Sequence, residues 1–378
     1  MIGGFDRYYQ IATCWRDEDL RADRQFEFRQ LDLELAFPTR EDVLDVLEQV
    51  VVASFAALGR EAPRRPFPRF SYTDVMARYG TDKPDLRFGM ELKDAGAWAK
   101  DSEFVVFKGA LEQGGRVMAL VVPAAHALSR KDIEALEELA KGSGAKGLAY
   151  WKAAAAGGSG PLARFCAGER AGALMQTLGA AEGDTCLFMA GKQALVWRVL
   201  GELRNNLGKR FGLAKGGWGF TWVTSFPMFE YDEQAGRWYS AHHPFTAPAD
   251  WGMGGENPDL ASLVSRAYDL VLNGWELGSG SVRIHRSDVQ QRVFSILGIG
   301  PEEQQKKFGF LLKALSYGAP PHAGFAVGLD RLTALTLGLD NIRDMLAFPK
   351  TTSATDLMCA APSEVGPEQL AEVHIRPA

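Results

Sequence analysis

Three arginines, far apart in the sequence, each stand at the end of a strand-like stretch or just after one. Arg16 follows an alternating apolar and polar run, Arg283 lies between two β-branched residues, and Arg331 follows the glycine-flanked run 324–328. A planar guanidinium donates two parallel hydrogen bonds to a carboxylate or a phosphate. The chain contains no GxxxxGK[ST] loop, so a P-loop is excluded. Arginines of this kind could hold nucleotide phosphates or an acidic substrate instead.

Two acids and a histidine pair add to this chemistry. Asp269 and Glu276 are seven residues apart in one segment, and carboxylate oxygens suit Mg²⁺. Two carboxylates on an ordinary strand are more often ion-paired or solvated. His242 and His243 precede Pro244 in a turn-like stretch, which is compatible with a structural turn or with a binding loop. The residues alone leave these alternatives open.

Alternation predicts the element that positions Arg16. Apolar residues recur at every second position on both sides of a charged loop within residues 8–37, which predicts two paired antiparallel strands with one packed face. The other face carries Arg16, Gln30, Asp32 and Glu34. Inward-facing charges at a strand end are not typical of a solvated hairpin.

Local signals predict further elements. Thr39 with Asp42, and Ser129 at the start of a helical pattern, predict capped helices. Short apolar runs at 104–107, 117–122 and 187–190 predict strands. Residues 259–276 predict a helix leading into a strand, followed by a Gly/Ser turn at 278–281 and a strand at 282–285. Residues 324–328 predict a strand that enters a helix ending near Gly338.

Composition limits the class of protein. The net charge of −5 argues against non-specific coating of nucleic acid but allows a local basic patch. The four cysteines form no Cys-x-x-Cys pair, which predicts thiols in a reducing compartment. No apolar run reaches membrane-spanning length and no signal peptide opens the chain, so we expect a cytoplasmic protein without membrane contact.

Several long motifs resemble one family. The stretches RYYQIATCWRDEDLRADRQ, YDLVLNGWELGSGSVRIH and GFAVGLDRLTAL resemble motif 2, the metal segment and motif 3 of class II aminoacyl-tRNA synthetases, specifically aspartyl-tRNA synthetases of the bacterial type. The resemblance extends over residues 5–362 with the motifs in the family's order. The chain departs from the family pattern at Phe26, Arg29, Ser225 and Ser279.

The resemblance implies an α+β fold, a class II synthetase-like antiparallel sheet flanked by helices, with an inserted α/β domain. It divides the chain into a first catalytic part (1–92), the insertion (93–208), which we treat as an appended domain without chemistry, and a second catalytic part (209–378). The family's anticodon-binding domain and motif 1 would precede Met1, so we expect a truncated chain that charges tRNA poorly alone.

The resemblance also implies the site residues, with ATP and Mg²⁺ as cofactors. The catalytic residues are Arg16 and Arg331, and the aspartate-binding residues are Arg16, His242 and Arg283. The ATP-binding residues are Arg16, Asp17, Glu18, Gln25, Glu276, Gly328, Leu329, Asp330 and Arg331. The metal ligands are Asp269 and Glu276, and the contacts to the tRNA acceptor end are Arg21 and Arg24.

The implied activity is the ATP-dependent activation of L-aspartate and its transfer to tRNA(Asp), by an enzyme that is a homodimer at full length. Whether tRNA(Asn) is also charged stays open. One alternative is a tRNA-independent ligase that converts aspartate to asparagine, and another is a non-catalytic paralogue. The inserted domain and the loop at 21–25 favour the synthetase over the first alternative, and retention of the arginines and acids argues against the second.

Overall fold

The structure is a computed structural model that describes residues 1–255 and 257–376. Its strands are β1 (Arg7–Trp15), β2 (Glu27–Ala36), β3 (Arg69–Ser71), β4 (Lys93–Asp94), β5 (Arg116–Val122), β6 (Ala149–Lys152), β7 (Thr185–Gly191), β8 (Phe220–Thr224), β9 (Phe229–Asp232), β10 (Arg237–Ser240), β11 (Ala267–Leu272), β12 (Trp275–Val282) and β13 (His322–Gly328). Its α-helices are α1 (Arg40–Ala57), α2 (Tyr72–Tyr79), α3 (Gly96–Lys100), α4 (Val105–Glu112), α5 (Arg130–Gly142), α6 (Glu169–Leu178), α7 (Gln193–Arg210), α8 (Ser287–Ile296), α9 (Pro301–Leu315), α10 (Leu329–Leu337) and α11 (Pro367–Glu372).

The chain forms two compact units. Unit 1 comprises residues 1–62, 277–280 and those from 314 onward. In it β1 pairs with β2, and β2 pairs with β13, both antiparallel. Gly278 of β12 lies against β13 so closely that a Cβ there would overlap the carbonyl oxygen of Ala326. Glycine at 278 therefore allows two strands to approach in this unit.

Unit 2 comprises residues 63–276 and 281–313. Its β11 pairs antiparallel with β8, and the short β3 pairs parallel with β8. β9 and β10 form a separate antiparallel hairpin. Asn273 and Gly274 connect β11 to β12 and both have positive φ (52° and 87°), as a two-residue type I′ turn requires. This turn sets Glu276 opposite Val271, which is two residues from Asp269. Asp269 and Glu276 therefore lie on one face of the hairpin, because opposed residues and alternate residues share a face.

Unit 2 also contains a four-stranded sheet in the order β4-β5-β7-β6. Alternate residues of β5 enter two different cores. Met118 and Leu120 pack with α5 and α7, whereas Val117 and Ala119 pack with residues of α3, α4 and α6. Helices therefore cover both faces of this sheet. The boundaries 93 and 208 predicted for an inserted α/β domain stay a prediction.

Several local predictions are confirmed. Thr39 accepts from the amide of Asp42, and Asp42 accepts from the amide of Thr39, so α1 begins with a complete capping box. Ser129 and Asp132 cap α5 in the same way. The strand β13 runs directly into α10, which ends with Gly338 in the left-handed region. The predicted α+β fold with antiparallel sheet and flanking helices is also confirmed.

Four predicted elements are wrong. Residues 105–107 begin helix α4 rather than a strand, because four apolar residues suit either element and the face carrying Phe107 packs into the core. The helix predicted after residue 259 is only the 3₁₀ turn Leu260–Ser262. The predicted Gly/Ser turn at 278–281 is the middle of β12, since Gly278 serves close strand packing rather than chain reversal. The strand predicted at 282–285 is therefore absent, because β12 ends at Val282 and residues 284–286 are irregular.

The burial predicted for β1 is also wrong. The pairing of β1 with β2 is as predicted, from Arg7 opposite Leu35 to Trp15 opposite Glu27. However, Tyr9, Ile11 and Trp15 remain 73%, 57% and 67% exposed. Alternation identified the two faces of the strand but could not identify what covers each face. Within the described chain, this apolar face of β1 is accessible to solvent.

The membrane and cysteine expectations can be compared with the described residues. None of the helices described is both long and apolar enough to cross a membrane. All four cysteines are free thiols; Cys166 and Cys186 are buried and Cys359 is exposed. Burial raises the pKa of Cys166 to about 11 and that of Cys186 to about 12. These two buried thiols are therefore poor nucleophiles at neutral pH.

One departure from the family pattern coincides with an unusual backbone conformation. Ser225 follows β8 with φ of +58°, in the left-handed region that costs most L-residues about 1–2 kcal/mol. We expect Ser225→Gly to raise the free energy of unfolding by about 1 kcal/mol, because glycine adopts this conformation without steric cost. Urea unfolding monitored by fluorescence measures the change.

The matched control is Ser240→Gly in β10, where the backbone is an ordinary strand. There glycine should lower stability by about 0.5–1 kcal/mol, because it adds chain entropy to the unfolded state without relieving strain. A lower urea midpoint for Ser225→Gly would contradict the interpretation of Ser225 as strained.

Candidate active site

Arg16 lies at the junction between β1 and the charged loop that follows it. Its amide donates to the carbonyl of Phe26 (2.9 Å), which closes the loop at its base. Its guanidinium lies over the ring of Phe28 at 5.2 Å and forms a 3.6 Å ion pair with Glu18. The Arg16 side chain is still 57% exposed. It is therefore oriented by its neighbours and available to an anionic ligand.

The loop 17–25 is held by ion pairs of Glu18 and by backbone hydrogen bonds at Arg21 and Ala22. Glu18 pairs with Arg24 as well as with Arg16 (3.7 and 3.6 Å). The carbonyl of Ala22 accepts from the amide of Ile342 (2.8 Å), and the carbonyl of Arg21 accepts from the guanidinium of Arg343 (3.0 Å). Residues 341–343 thus support the loop, although no motif in the sequence selected them.

Gln25 differs from the rest of this loop because its side chain is only 2% exposed. Its Nε2 is buried and has no hydrogen-bond partner among the described residues. A buried amide donor without an acceptor is costly, and its presence in a native fold calls for a partner supplied from elsewhere. A ligand carbonyl or ring nitrogen would provide that acceptor.

Arg331 joins the same loop from the first turn of α10. Its Nε donates to the carbonyl of Asp23 (3.0 Å), and its Nη2 lies 3.2 Å from the carboxylate of Asp23. The neighbouring Asp330 accepts from the amide of Arg29 (3.1 Å), and burial raises the pKa of Asp330. The strand-to-helix junction at Gly328 and Leu329 thus brings Arg331 to the loop that begins at Arg16.

An open cleft of about 610 Å³ borders this loop in unit 1. It is lined by Asp17, Glu18, Asp19, Leu20, Phe26 and Thr352. Asp17 and Glu18 are among the predicted nucleotide contacts. Carboxylates lining an open cleft are suited to accept hydrogen bonds from hydroxyl or amino groups rather than to bind phosphates directly.

In unit 2 the hairpin of β11 and β12 carries the two predicted metal ligands. Asp269 is 4% exposed. Glu276 forms a 2.9 Å ion pair with Lys83. Burial lowers the pKa of Lys83, but the charges of Glu276 and Asp82 outweigh that effect and the pKa is raised overall. Lys83 is thus a charged partner of Glu276 that we did not select from the sequence.

The oxygen atoms of Asp269 and Glu276 can be compared with the ligands that Mg²⁺ prefers. The described residues contain no group of three or more His, Cys, Asp or Glu side chains arranged to hold a metal. Two carboxylates nevertheless fit Mg²⁺, which usually takes one or two protein oxygens and completes its shell with water and phosphate oxygens. Asp269 and Glu276 fit that donor set and would not fit a closed zinc site.

Arg283 follows β12 and contacts His243 through its Nη1 and the histidine Nε2. Ser281 Oγ lies 3.4 Å from the same nitrogen. Burial, and then the charge of Arg283, lowers the pKa of His243 to about 3. The imidazole is therefore neutral at physiological pH. The amide of Phe245 donates to its Nδ1 (3.2 Å), and the hydroxyl of Thr246 lies 3.3 and 3.4 Å from Nε2 and Nδ1.

His242, the histidine selected from the sequence, has a different environment. Its ring packs edge-to-face against Phe226 with 4.6 Å between ring centroids. Burial lowers its pKa, although Glu276 and Asp82 oppose the shift. The residue in contact with Arg283 is instead His243. The His-His doublet was visible in the sequence, but nothing in its spacing identified which ring faces the arginine.

The predicted residues thus form separate groups within each unit. In unit 1 the structure brings Arg16 to Glu18 and Arg331 to Asp23, while Arg21 takes part through its carbonyl and Arg24 pairs with Glu18. In unit 2 it pairs Glu276 with Lys83 and Arg283 with His243. The motif Gly80-Thr81-Asp82-Lys83-Pro84 was the available signal for Lys83, but its charges alone indicated only a charged loop.

Comparison with known proteins covers nearly the whole chain. The family model described as tRNA synthetases class II (D, K and N) matches residues 1–352. The aspartate–tRNA ligase of Xanthomonas campestris pv. campestris (strain B100) is 52% identical over 378 residues, which are 100% of this chain and 64% of that protein. The aspartate–tRNA ligase of Bacillus licheniformis is 51% identical over 379 residues, covering 99% of this chain and 64% of that protein.

A third relative, from Anoxybacillus flavithermus, is named an aspartate–tRNA(Asp/Asn) ligase and is 50% identical over 378 residues, again 64% of its length. The chain therefore spans slightly less than two thirds of the curated relatives it matches. With the family model matching residues 1–352, the chain belongs to the class II tRNA synthetases of the aspartate, lysine and asparagine group.

Proposed function

We propose that this chain carries the catalytic part of an aspartate–tRNA ligase, which activates L-aspartate with ATP and transfers it to tRNA. The observation that carries the proposal is the contact between Arg283 and a neutral His243. A guanidinium donates two parallel hydrogen bonds to a carboxylate, and the imidazole beside this one is uncharged. Relatives named aspartate–tRNA ligase at 50–52% identity support an acidic amino acid as that ligand.

Arg283 binds the side-chain carboxylate of aspartate, and His242 borders the same substrate. The alternative of lysine is disfavoured, because an arginine would repel a cationic side chain. The alternative of asparagine is less well matched, because an amide is uncharged and gains less from a guanidinium than a carboxylate does.

Arg16, Arg331, Gln25, Glu18 and Asp17 bind ATP, with Gly328, Leu329 and Asp330 forming the junction that positions Arg331. Arg16 and Arg331 bind phosphate oxygens, since both guanidinium groups are oriented by acidic side chains of the loop that begins at Arg16. The buried Nε2 of Gln25 donates to the base or the ribose. Arg21 and Arg24 contact the phosphates of the tRNA acceptor end.

The reaction needs positioning and charge stabilisation rather than a protein nucleophile. The α-carboxylate of aspartate attacks the α-phosphorus of ATP, a phosphorus–oxygen bond to pyrophosphate breaks, and Arg16 stabilises the charge that develops. Mg²⁺ held by Asp269 and Glu276 supplies Lewis-acid charge neutralisation of the phosphate oxygens when bound. The terminal adenosine hydroxyl of tRNA then attacks the carbonyl of the adenylate and releases AMP.

The tRNA partner is tRNA(Asp). The full-length enzyme acts in the cytoplasm and is a homodimer. The Anoxybacillus relative, named for both tRNA(Asp) and tRNA(Asn), makes tRNA(Asn) a second substrate to test. Charging both transcripts with labelled aspartate distinguishes the two cases.

Aspartate-dependent exchange of pyrophosphate into ATP tests the proposal without tRNA. We expect exchange by the unmodified chain, and for Arg283→Leu a loss of kcat/KM for aspartate of at least about 100-fold, because two charged hydrogen bonds are lost. The matched control is Arg237→Leu at an exposed position of β10, which should keep full exchange. No aspartate-dependent exchange by the unmodified chain, or unchanged aspartate selectivity in Arg283→Leu, would contradict the proposal.

The neutral state of His243 predicts how stability depends on pH. Its pKa is about 3 in the folded chain, against the ordinary histidine value of 6.5 in the unfolded chain. Between these values the unfolded chain binds more protons, so the free energy of unfolding should fall as the pH is lowered from 6.5 toward 3, by up to about 1.4 kcal/mol per pH unit.

Replacing His243 by asparagine, which does not titrate, should reduce this slope. Urea unfolding at a series of pH values measures it, and the exposed His374→Asn is the matched control. Identical slopes for the unmodified chain and His243→Asn would show that His243 is not held neutral.

A further inference from the structure

One face of helix α7 carries two glycines and an arginine that all contact the loop 80–89. Gly201, Arg204 and Gly208 lie at helical spacing on this face. A Cβ at Gly201 would overlap the carbonyl oxygen of Gly80, and a Cβ at Gly80 would overlap the carbonyl oxygen of Trp197. The helix and the loop therefore meet backbone to backbone, and neither glycine can be enlarged without moving the loop.

Arg204 anchors the same loop by its side chain. It is completely buried, and its guanidinium donates to the carbonyls of Asp85 (3.0 Å), Phe88 (2.8 Å) and Gly89 (2.9 Å). The ring of Phe88 lies 4.0 Å from the guanidinium carbon, and the ring of Phe88 is also what a Cβ at Gly208 would meet. All three carbonyls face Nη2, which shares its two hydrogens among them, and Nε donates a further bond to the carbonyl of Gly89 (3.2 Å). Together these bonds fix the path of residues 85–89.

The same loop also lies against the β11–β12 hairpin. A Cβ at Gly274 would lie 3.6 Å from the Cβ of Asp85 and 3.9 Å from the carbonyl of Lys83. Lys83 extends from this point to form its 2.9 Å ion pair with Glu276. The loop is thus placed between α7 and the hairpin turn, and its ammonium group reaches a carboxylate to which the proposed function gives a metal.

We propose that α7 takes part in positioning the reacting groups: Arg204 holds the loop 80–89, and Lys83 on that loop orients Glu276. Both are positioning residues, and the inference rests on the proposed function for the role of Glu276. It assigns a task to a segment that the sequence analysis treated as an appended domain without chemistry. A partner that fixes the orientation of a metal-binding carboxylate commonly changes metal affinity or activity about 10–100-fold when removed.

Hydrogen exchange of the full chain tests the first half of this proposal. We expect the amides of residues 81–89 to exchange about tenfold faster in Arg204→Met, because the guanidinium that links three carbonyls is lost. Arg198→Met is the matched control on the same helix, since Arg198 bonds only the carbonyl of Ser143 in the hydrogen bonds described for it. Arg204→Lys, which keeps the charge without the planar fork, replaces the methionine variant if that variant does not fold.

Kinetics test the second half. Lys83→Met should lower kcat for aspartate-dependent pyrophosphate exchange by about 10–100-fold while the KM for aspartate stays near that of the unmodified chain, because Arg283 is untouched. Lys83→Arg should restore part of the loss. The double variant Lys83→Met/Arg204→Met should be no slower than the slower single variant, because both changes remove the same orientation of Glu276.

The outcomes separate this inference from the proposed function. If the unmodified chain shows no aspartate-dependent pyrophosphate exchange, the proposed function is contradicted. Amide hydrogen exchange still tests the anchoring by Arg204 independently of that result. Unchanged exchange at residues 81–89 in Arg204→Met, or an active unmodified chain with additive losses in the double variant, overturns the inference. A rise in the KM for aspartate without a fall in kcat in Lys83→Met also overturns it.

Discussion

A cation removed from water must be given acceptors in fixed positions, and unit 2 satisfies this requirement at three places. Arg204 receives three backbone carbonyls, Lys83 receives Glu276, and Arg283 receives a neutral imidazole. In each case the acceptor comes from a different element than the cation. Each cation therefore links two elements of the fold, and the packing of those elements in turn orients the cation.

Sequence identified the parts of the fold that are determined locally. The capping boxes at Thr39 and Ser129 need only residues three apart, and the pairing of β1 with β2 follows from alternation on both sides of a loop. The junction of β13 and α10 was also visible, because a glycine-flanked apolar strand changes abruptly to helical spacing. These features depend on neighbours in the chain and not on what packs against them.

The sequence predictions that were wrong concern features that depend on tertiary packing. The apolar run at 104–107 is compatible with a strand or a helix, and only its contact with the core decides. Gly278 was interpreted as a turn residue, whereas it allows the approach of the backbone at Ala326. The same limit applies to the candidate site. The motifs selected Arg16, Arg283 and Arg331, but Lys83 and His243 acquire significance only from partners that lie 193 and 40 residues away.

Arg204 shows what a buried charged side chain contributes on a helix face that could have been wholly apolar. Burial lowers the pKa of Arg204 to about 10, so the group stays charged at neutral pH although its charge is destabilised. A methionine there would avoid that cost, but the carbonyls of Asp85, Phe88 and Gly89 would then lose their shared donor. Loops with no regular hydrogen-bond ladder need such donors from outside. The energetic cost of one buried guanidinium is thus offset by the order it gives to a loop that carries Lys83.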